Sequence, residues 1–218
     1  MQSRADKRSN KTDLMPRHKT GHYLDELVDE TVEYLTPYRD NLLFISKGNH
    51  ETAVTKYLET DLLARVCRGL DCNHMGYAGF VRWMFAYNTD AGGRSCKSSV
   101  TMWFDHGRGG AAPVTKGVMR AERESAYVDA DVFVGGHIHK SWAVHTRAVR
   151  LSQGGKVKTV ERLHLCIPTL KDEFDLDAGE GFHIERGGRP EILGGYWLRF
   201  WYDAQADTRI AFDAHRAF

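Results

Sequence analysis

The sequence predicts an α/β fold in which two packed mixed β-sheets are flanked by helices. Two observations favour this fold. Strand-like and helix-like segments alternate through the first two thirds of the chain, and mostly strand-like segments follow in the last third. The length of 218 residues also suits one domain with a sizeable core. We therefore expect a polar arm or loop over residues 1–20 and a single domain over residues 21–218.

The first half of the chain is predicted to hold two helices around a short buried strand. Apolar residues recur at helical spacing over residues 22–35, and Pro37 ends that helix. Residues 41–46 form a short apolar run that is typical of a buried strand, and Gly48 ends it. Helical spacing returns over residues 51–69. This order predicts a helix, a strand and a second helix.

The second half is predicted to be rich in strands. A Gly-rich loop over residues 107–116 precedes a helix that runs to about residue 129. The predicted strands are 79–87, 98–104, 132–134, 142–149, 157–166, 196–202 and 208–212.

Composition argues against several classes of protein. The formal net charge is +1, whereas proteins that coat nucleic acids are usually strongly basic. No apolar run approaches the ~20 residues of a membrane span, and residues 1–10 lack the apolar core of a secretory signal. None of the four cysteines forms a Cys-x-x-Cys pair, which argues against a zinc ribbon. We expect reduced thiols in a cytoplasmic protein instead. The cysteines are Cys67, Cys72, Cys96 and Cys166.

Polar segments follow three of the predicted strands at the point where each strand ends. Because the carboxyl ends of neighbouring strands in an α/β sheet converge on one crevice, we expect these segments to lie close together. The segments are Gly48-Asn49-His50-Glu51, His106-Gly107 and Gly136-His137-Ile138-His139.

The residue types in these segments suit a metal site. Imidazole nitrogens and an Asn carbonyl oxygen are ligands for Zn²⁺, Mn²⁺ or Fe. His137 and His139 are two residues apart, so both would face the same side of an extended strand, with Ile138 toward the core. For any one of these histidines, a hydrogen bond to the backbone in the core is the commoner explanation. Order, strand context and spacing together favour a metal centre.

The same three segments resemble the motifs of the calcineurin-like metallophosphoesterases. That family carries Gly-Asn-His-Glu/Asp, then a His-Gly after a strand, then Gly-His-x-His, and the resemblance spans residues 42–140. It implies a metallophosphoesterase sandwich that hydrolyses phosphate esters with two divalent metal ions, drawn from Mn²⁺, Zn²⁺, Fe²⁺ and Mg²⁺. Phosphodiesters are the expected substrates, with nucleic acid as one candidate that rests on the family analogy alone.

The resemblance also implies the metal ligands. Asn49, His106 and His137 would bind one metal ion, and His139 would bind the other. The bound ions would clamp the phosphate and activate a water molecule for attack on phosphorus.

The same resemblance implies roles for His50 and Glu51, and the Gly-rich loop places a third candidate, Arg108, where it could meet the substrate. His50 would lie beside the scissile phosphate and act as general acid or charge stabiliser. Glu51 would orient His50 or cap the helix that follows, and these two roles are equally favoured. Arg108 would meet a substrate phosphate, with an exposed loop arginine of no special role as the equal alternative.

The chain departs from the family pattern in its first segment. The family begins with a strand ending in Asp-x-His and continues with Gly-Asp-x-x-Asp, whose carboxylate bridges both metals, and residues 1–47 contain neither motif. The sequence Asp213-Ala214-His215 does occur, but one such pair is expected about once by chance. We therefore expect the first strand of the sandwich to be missing, the affinity for metal to be reduced, and activity to be weak or absent. Two metal ions are the nominal number, and a single ion bound by Asn49, His106 and His137 is the alternative.

Several alternatives follow from this departure. The sequence could begin inside a longer protein, the domain could be a subunit completed by a partner chain, or it could be a metal-binding remnant without catalysis. No oligomeric state follows from the sequence.

Four tryptophans are expected in the core rather than on a base-stacking surface, because each lies in a strand pattern. They are Trp83, Trp103, Trp142 and Trp197.

Overall fold

The structure is a computed structural model in which the chain forms two compact units, Met1–Ala78 and Gly79–Phe218. The predicted polar arm lies outside the described residues apart from Pro16, and the single domain over residues 21–218 stays a prediction. At residues 95 and 182 the structure describes the backbone alone. The described residues are 16, 21–88, 95–110, 112, 114–152, 154–172, 174, 177, 179, 181–185, 187–206 and 208–217.

The first unit is built from helices and a pair of short parallel strands. Its core contains Val28, Val54 and Val66, one from each of three helices. Two of these helices approach closely, because a Cβ added at Gly69 would lie 2.7 Å from Val32 Cγ2. The elements in chain order are α1 (Tyr23–Leu35), a 3₁₀ helix (Thr36–Asn41), β1 (Phe44–Ser46), α2 (Asn49–Leu58), α3 (Leu62–Leu70) and β2 (Asn73–Met75).

The single helix predicted over residues 51–69 is wrong, because the structure has two helices there. Glu59 adopts a φ of 53° and ends α2, and the Asp61 carboxylate caps α3 by accepting from the Ala64 amide at 3.0 Å. Asp61 also accepts from Lys47 Nζ at 2.5 Å. Burial raises the pKa of Asp61, but the hydrogen bonds from Lys47 and Ala64 outweigh burial, so the pKa lies below its ordinary value.

The second unit is built on a five-stranded mixed sheet with the order β3-β4-β5-β7-β6. β4, β5 and β7 run parallel, and β6 is antiparallel to β7. The predicted α/β class is thus confirmed at this level. The elements in chain order are β3 (Ala78–Asn88), β4 (Ser95–Asp105), α4 (Met119–Ser125), β5 (Val132–Gly135), β6 (Trp142–Leu151), β7 (Val157–Cys166), α5 (Phe182–Glu185), β8 (Tyr196–Tyr202) and β9 (Ile210–Arg216).

The antiparallel pair β8–β9 packs against β3 through aromatic side chains. The ring of Phe200 lies 4.9 Å from that of Trp83 and 5.3 Å from that of Phe85, measured between centroids. Because successive side chains of a strand point to opposite faces, the other face of β8 turns away from this contact. Trp197 lies on that face and is 69% exposed. The expectation that Trp197 belongs to the core is therefore wrong.

Two short elements were not expected from the sequence. β2 pairs with β1, and α5 has four residues. In the stretches that the structure describes, none of the helices is both long enough and apolar enough to cross a membrane.

Candidate metal centre

His106 and His137 lie side by side at the ends of two neighbouring parallel strands. β4 ends at Asp105 and β5 ends at Gly135, and these two residues are register partners in the sheet. The chain therefore leaves both strands at the same level. As a result, His106 Nε2 lies 3.2 Å from His137 Nδ1. Two of the predicted metal ligands are thus together.

The separation of these two nitrogens suits a shared metal ion. Imidazole nitrogens bind Zn²⁺ at about 2.0–2.1 Å, so two such ligands at a tetrahedral angle lie about 3.3 Å apart. The separation of 3.2 Å agrees with this value. It also permits a hydrogen bond in which one of the two nitrogens carries a proton. A metal ion needs both nitrogens deprotonated, so proton and metal compete for the pair.

The backbone around the second histidine departs from an extended strand. β5 ends at Gly135, and His137 and His139 adopt φ values of 71° and 55°. The amide of Ile138 donates to the carbonyl of Gly136 at 2.9 Å, which closes a three-residue turn around His137. The expectation of an extended strand over these histidines is therefore wrong. Such non-glycine conformations cost about 1–3 kcal/mol each and cluster at functional sites.

Asp105, which directly precedes the first histidine, belongs to a buried network of charges. It is 6% exposed, and its carboxylate accepts from the amide of Gly107. Arg120 Nη2 lies 3.4 Å from Asp105 Oδ1 and donates to the Asp105 carbonyl oxygen at 3.2 Å. Arg120 Nε donates to Glu124 Oε1 at 2.6 Å. Burial raises the pKa of Glu124, and the charge of Arg120 opposes that rise only in part.

The guanidinium of Arg120 fills space that two glycines leave open. A Cβ at Gly135 would lie 2.4 Å from Arg120 Cζ, and a Cβ at Gly107 would lie 2.3 Å from Arg120 Nη1. Gly107 also has a φ of +96°, which favours glycine. One side chain of α4 therefore contacts the ends of both strands that lead to His106 and His137.

Asp105, Arg120 and Glu124 were not among the site residues expected from the sequence. A partial signal was present, since Asp105 precedes His106 and an Arg–Glu pair at i and i+4 follows the Gly-rich loop. Nothing in the spacing ties that pair to the strand ends. Arg108, which was expected to meet phosphate, is 83% exposed, and its Nη2 lies 3.7 Å from Asp105 Oδ2.

The segment with the remaining predicted residues lies in the first unit, at the start of α2. Asn49 and His50 occupy the first turn with exposed side chains. Glu51 Oε2 accepts from the amide of Gly48 at 3.0 Å, which is the helix-capping role among the two expected for Glu51. Because this segment and the histidine pair belong to different units, their convergence stays a prediction.

Comparisons with known proteins give no relative for this chain. No protein-family model, no curated protein and no solved structure matches it. Within the described residues, no group of three or more His, Cys, Asp or Glu side chains is arranged to hold a metal ion. The candidate centre therefore rests on the histidine pair and on the residues that hold it.

Proposed function

We propose that this chain is a metal-dependent phosphoesterase of the calcineurin-like kind, acting on phosphodiesters. The observation that carries the proposal is the pairing of His106 Nε2 and His137 Nδ1 at 3.2 Å, at the carboxyl ends of adjacent parallel strands. The five-stranded mixed sheet and the β8–β9 pair packed on β3 support the corresponding sandwich fold. The order of the three sequence motifs supports it independently.

The residues of the pair fit a divalent metal ion. Two neutral imidazoles are ligands that Zn²⁺, Mn²⁺ and Fe²⁺ accept, and their nitrogens have the separation that a shared ion needs. A bound ion would polarise the phosphate and lower the pKa of a coordinated water. We propose Asn49 as the third ligand of this ion and His139 as a ligand of a second ion.

The remaining predicted residues would act on the phosphodiester itself. A water molecule would add to phosphorus and lose a proton to solvent, and the bond to the leaving oxygen would break. His50 would donate a proton to that oxygen or stabilise the charge that develops there. Arg108 carries an exposed guanidinium on the loop after β4 and would offer hydrogen bonds to a non-bridging phosphate oxygen. Asp105 and Arg120 would act indirectly, by holding the strand ends that carry the histidine pair.

A metal-binding protein without catalysis is the second candidate, and the state of Asp105 favours it. Its carboxylate is engaged by Arg120 and by the Gly107 amide. The nearest carboxylate in the sequence is therefore not free to offset the charge of an ion bound by neutral ligands. In a subunit whose centre is completed by a partner chain, the partner would supply the negative charge that offsets the metal ion.

The experiment that tests the function is hydrolysis of bis-p-nitrophenyl phosphate by the purified 218-residue chain with and without Mn²⁺. We expect slow, Mn²⁺-dependent turnover that is lost in His106→Ala, His137→Ala and His50→Ala. His145→Ala is the matched control, because His145 is a half-exposed histidine of the same unit that pairs with Glu161. Metal binding without turnover would favour the second candidate, and the absence of both would contradict the proposal.

A further inference from the structure

The β8–β9 pair presents aromatic and charged side chains to solvent on the face that turns away from β3. Trp197 is 69% exposed and Trp201 is 40% exposed. Alternation along β8 puts Arg199 on the same face, between the two indoles. The register places His215 opposite Trp197 and Asp213 opposite Arg199. These five residues form what we call the β8–β9 face.

Two aromatic rings of this face are accessible to solvent, one of them partly covered by an arginine. Arg199 Cζ lies 5.7 Å from the ring centroid of Trp201, a cation–π arrangement that holds the guanidinium near the indole. The cross-strand partner of Trp201 is Ala211, whose small side chain covers little of the ring. A cleft of about 270 Å³ lies beside it, lined by Arg199, Trp201, Asp213 and His215. The indole of Trp197 is more exposed still.

The hairpin does not use these two indoles to pack on the larger sheet. That contact is made on its other face, where the ring of Phe200 packs at a tilt against those of Trp83 and Phe85. Exposed indoles of this kind are enriched at binding surfaces.

The composition of the face indicates the partner. We propose that the β8–β9 face binds single-stranded nucleic acid, with bases stacked on Trp197 and Trp201 and a phosphate beside Arg199. Bases stack on aromatic rings without regard to sequence, and a guanidinium adds charge and a further stacking plane. Alternate residues of a strand are about 7 Å apart, so the two indoles offer separate platforms about 14 Å apart along β8.

The one carboxylate on the face does not oppose this assignment. Asp213 lies opposite Arg199 in the register, and its Oδ1 lies 3.5 Å from His145 Nε2. Arg199 thus stands directly across the strand pair from Asp213, an arrangement of opposite charges. The Asp213-Ala214-His215 sequence lies among the last four residues of β9, and Asp213 and His215 both line the cleft beside Trp201.

A role of the β8–β9 face in holding substrate rests on the proposed phosphoesterase function. Binding of nucleic acid to this face can be measured without catalysis. The experiment uses the full chain in EDTA with a fluorescein-labelled oligothymidine, followed by fluorescence anisotropy at several salt concentrations. We expect binding that quenches tryptophan fluorescence and weakens with salt. Trp197→Ala and Trp201→Ala should each weaken binding roughly tenfold. Trp197→Phe should retain most of it, and Arg199→Gln should reduce the salt dependence.

The control is Tyr127→Ala, which removes an aromatic side chain of the same unit that is 66% exposed. Circular dichroism and melting curves of the variants would show that the fold is retained. The proposal is overturned if the native chain does not bind the oligonucleotide, or if the two alanine variants bind as tightly as the native chain. It is also overturned if sedimentation shows that these variants dissociate a dimer, since a second copy would then cover the face. Binding of the oligonucleotide without any phosphodiester hydrolysis would contradict the proposed enzyme function and would still support nucleic-acid binding by this face.

Discussion

The guanidinium of Arg120 lies directly against Gly135, where an added Cβ would be 2.4 Å from Arg120 Cζ. The same guanidinium lies 3.4 Å from Asp105 Oδ1. One side chain of α4 thus contacts the ends of β5 and β4. We therefore expect the 3.2 Å separation of His106 Nε2 and His137 Nδ1 to depend on Arg120, a residue that would bind neither metal nor substrate.

Removing Arg120 should both destabilise the protein and loosen the histidine pair. Arg120→Met would leave Asp105, which is 6% exposed, without the partly buried cation beside it. We expect a loss of roughly 3 kcal/mol in the free energy of unfolding, measured with urea, since breaking a buried ion pair leaves an uncompensated charge. The affinity for Zn²⁺, measured by titration calorimetry, should fall about 10- to 100-fold, the range typical of residues that orient metal ligands.

Gly135→Ala should act through the same arginine. Its Cβ would displace Arg120, so the double variant Arg120→Met/Gly135→Ala should lose clearly less stability than the sum of the two single variants. Arg123→Met is the control, because Arg123 is an exposed arginine of the same helix. Additive losses, or an equal loss in the control, would show that Arg120 does not tie the strand ends together.

The buried histidine of β7 should make stability depend on pH between about 4 and 6.5. Burial, with the charge of Arg162 as the lesser cause, lowers the pKa of His164 from 6.5 to about 4. The unfolded chain therefore binds a proton in this window that the native chain does not, and stability falls as pH falls. Between pH 7 and pH 5 this histidine should remove about 2 kcal/mol from the free energy of unfolding.

His164→Phe is the variant that isolates this effect. The ring of His164 is 1% exposed and is stacked on Phe133 at 4.4 Å, so an aromatic replacement keeps the packing. It would remove the titrating group, at the cost of the contacts of Nε2 with Ser125 and Thr146, each 3.2 Å long. Urea unfolding at pH 7 and pH 5 should show a smaller loss in the variant. An equal loss of stability in the native chain and the variant would show that a group other than His164 causes the pH dependence.

The strand-end motifs were predictable from the sequence because each depends on local order. An apolar run followed by Gly and His indicates where β5 ends, and parallel pairing then brings His137 to His106. The turn around His137 was not predictable, since a φ of 71° at a non-glycine residue is enforced by surrounding structure. The contact of Arg120 with Gly135 likewise depends on how α4 packs.

Two of the sequence predictions are wrong for the same physical reason. The spacing of apolar residues does not show where a helix is interrupted, and it does not show which face of a strand is covered by other elements. Apolar spacing continues through Glu59 and therefore hid the break between α2 and α3. β8 carries aromatic residues on both faces, so periodicity could not tell Phe200, which packs on β3, from Trp197, which is exposed. Tertiary packing decides both cases.

The charge of Asp61 should stabilise the folded chain at the point where α2 ends and α3 begins. Asn also caps helices well, so Asp61→Asn removes mainly the interaction with Lys47 Nζ, 2.5 Å away. The pKa of Asp61 lies below its ordinary value, so this stabilisation is present above about pH 4 and is lost as the pH falls through the native pKa. Urea unfolding should give a loss of about 1 kcal/mol at pH 7 and a smaller one at pH 3. Asp40→Asn, at a side chain 94% exposed, is the control, and a loss that does not shrink at pH 3 would contradict the assignment.

The most direct test of the metal centre is zinc X-ray absorption on the full chain loaded with one equivalent of Zn²⁺. The histidine pair predicts scattering from at least two imidazoles at about 2.0–2.1 Å. His106→Ala and His137→Ala should each lose imidazole scattering, whereas His145→Ala should keep the native spectrum. A native spectrum without imidazole ligands, or one that neither ligand variant changes, would contradict a metal centre at His106 and His137.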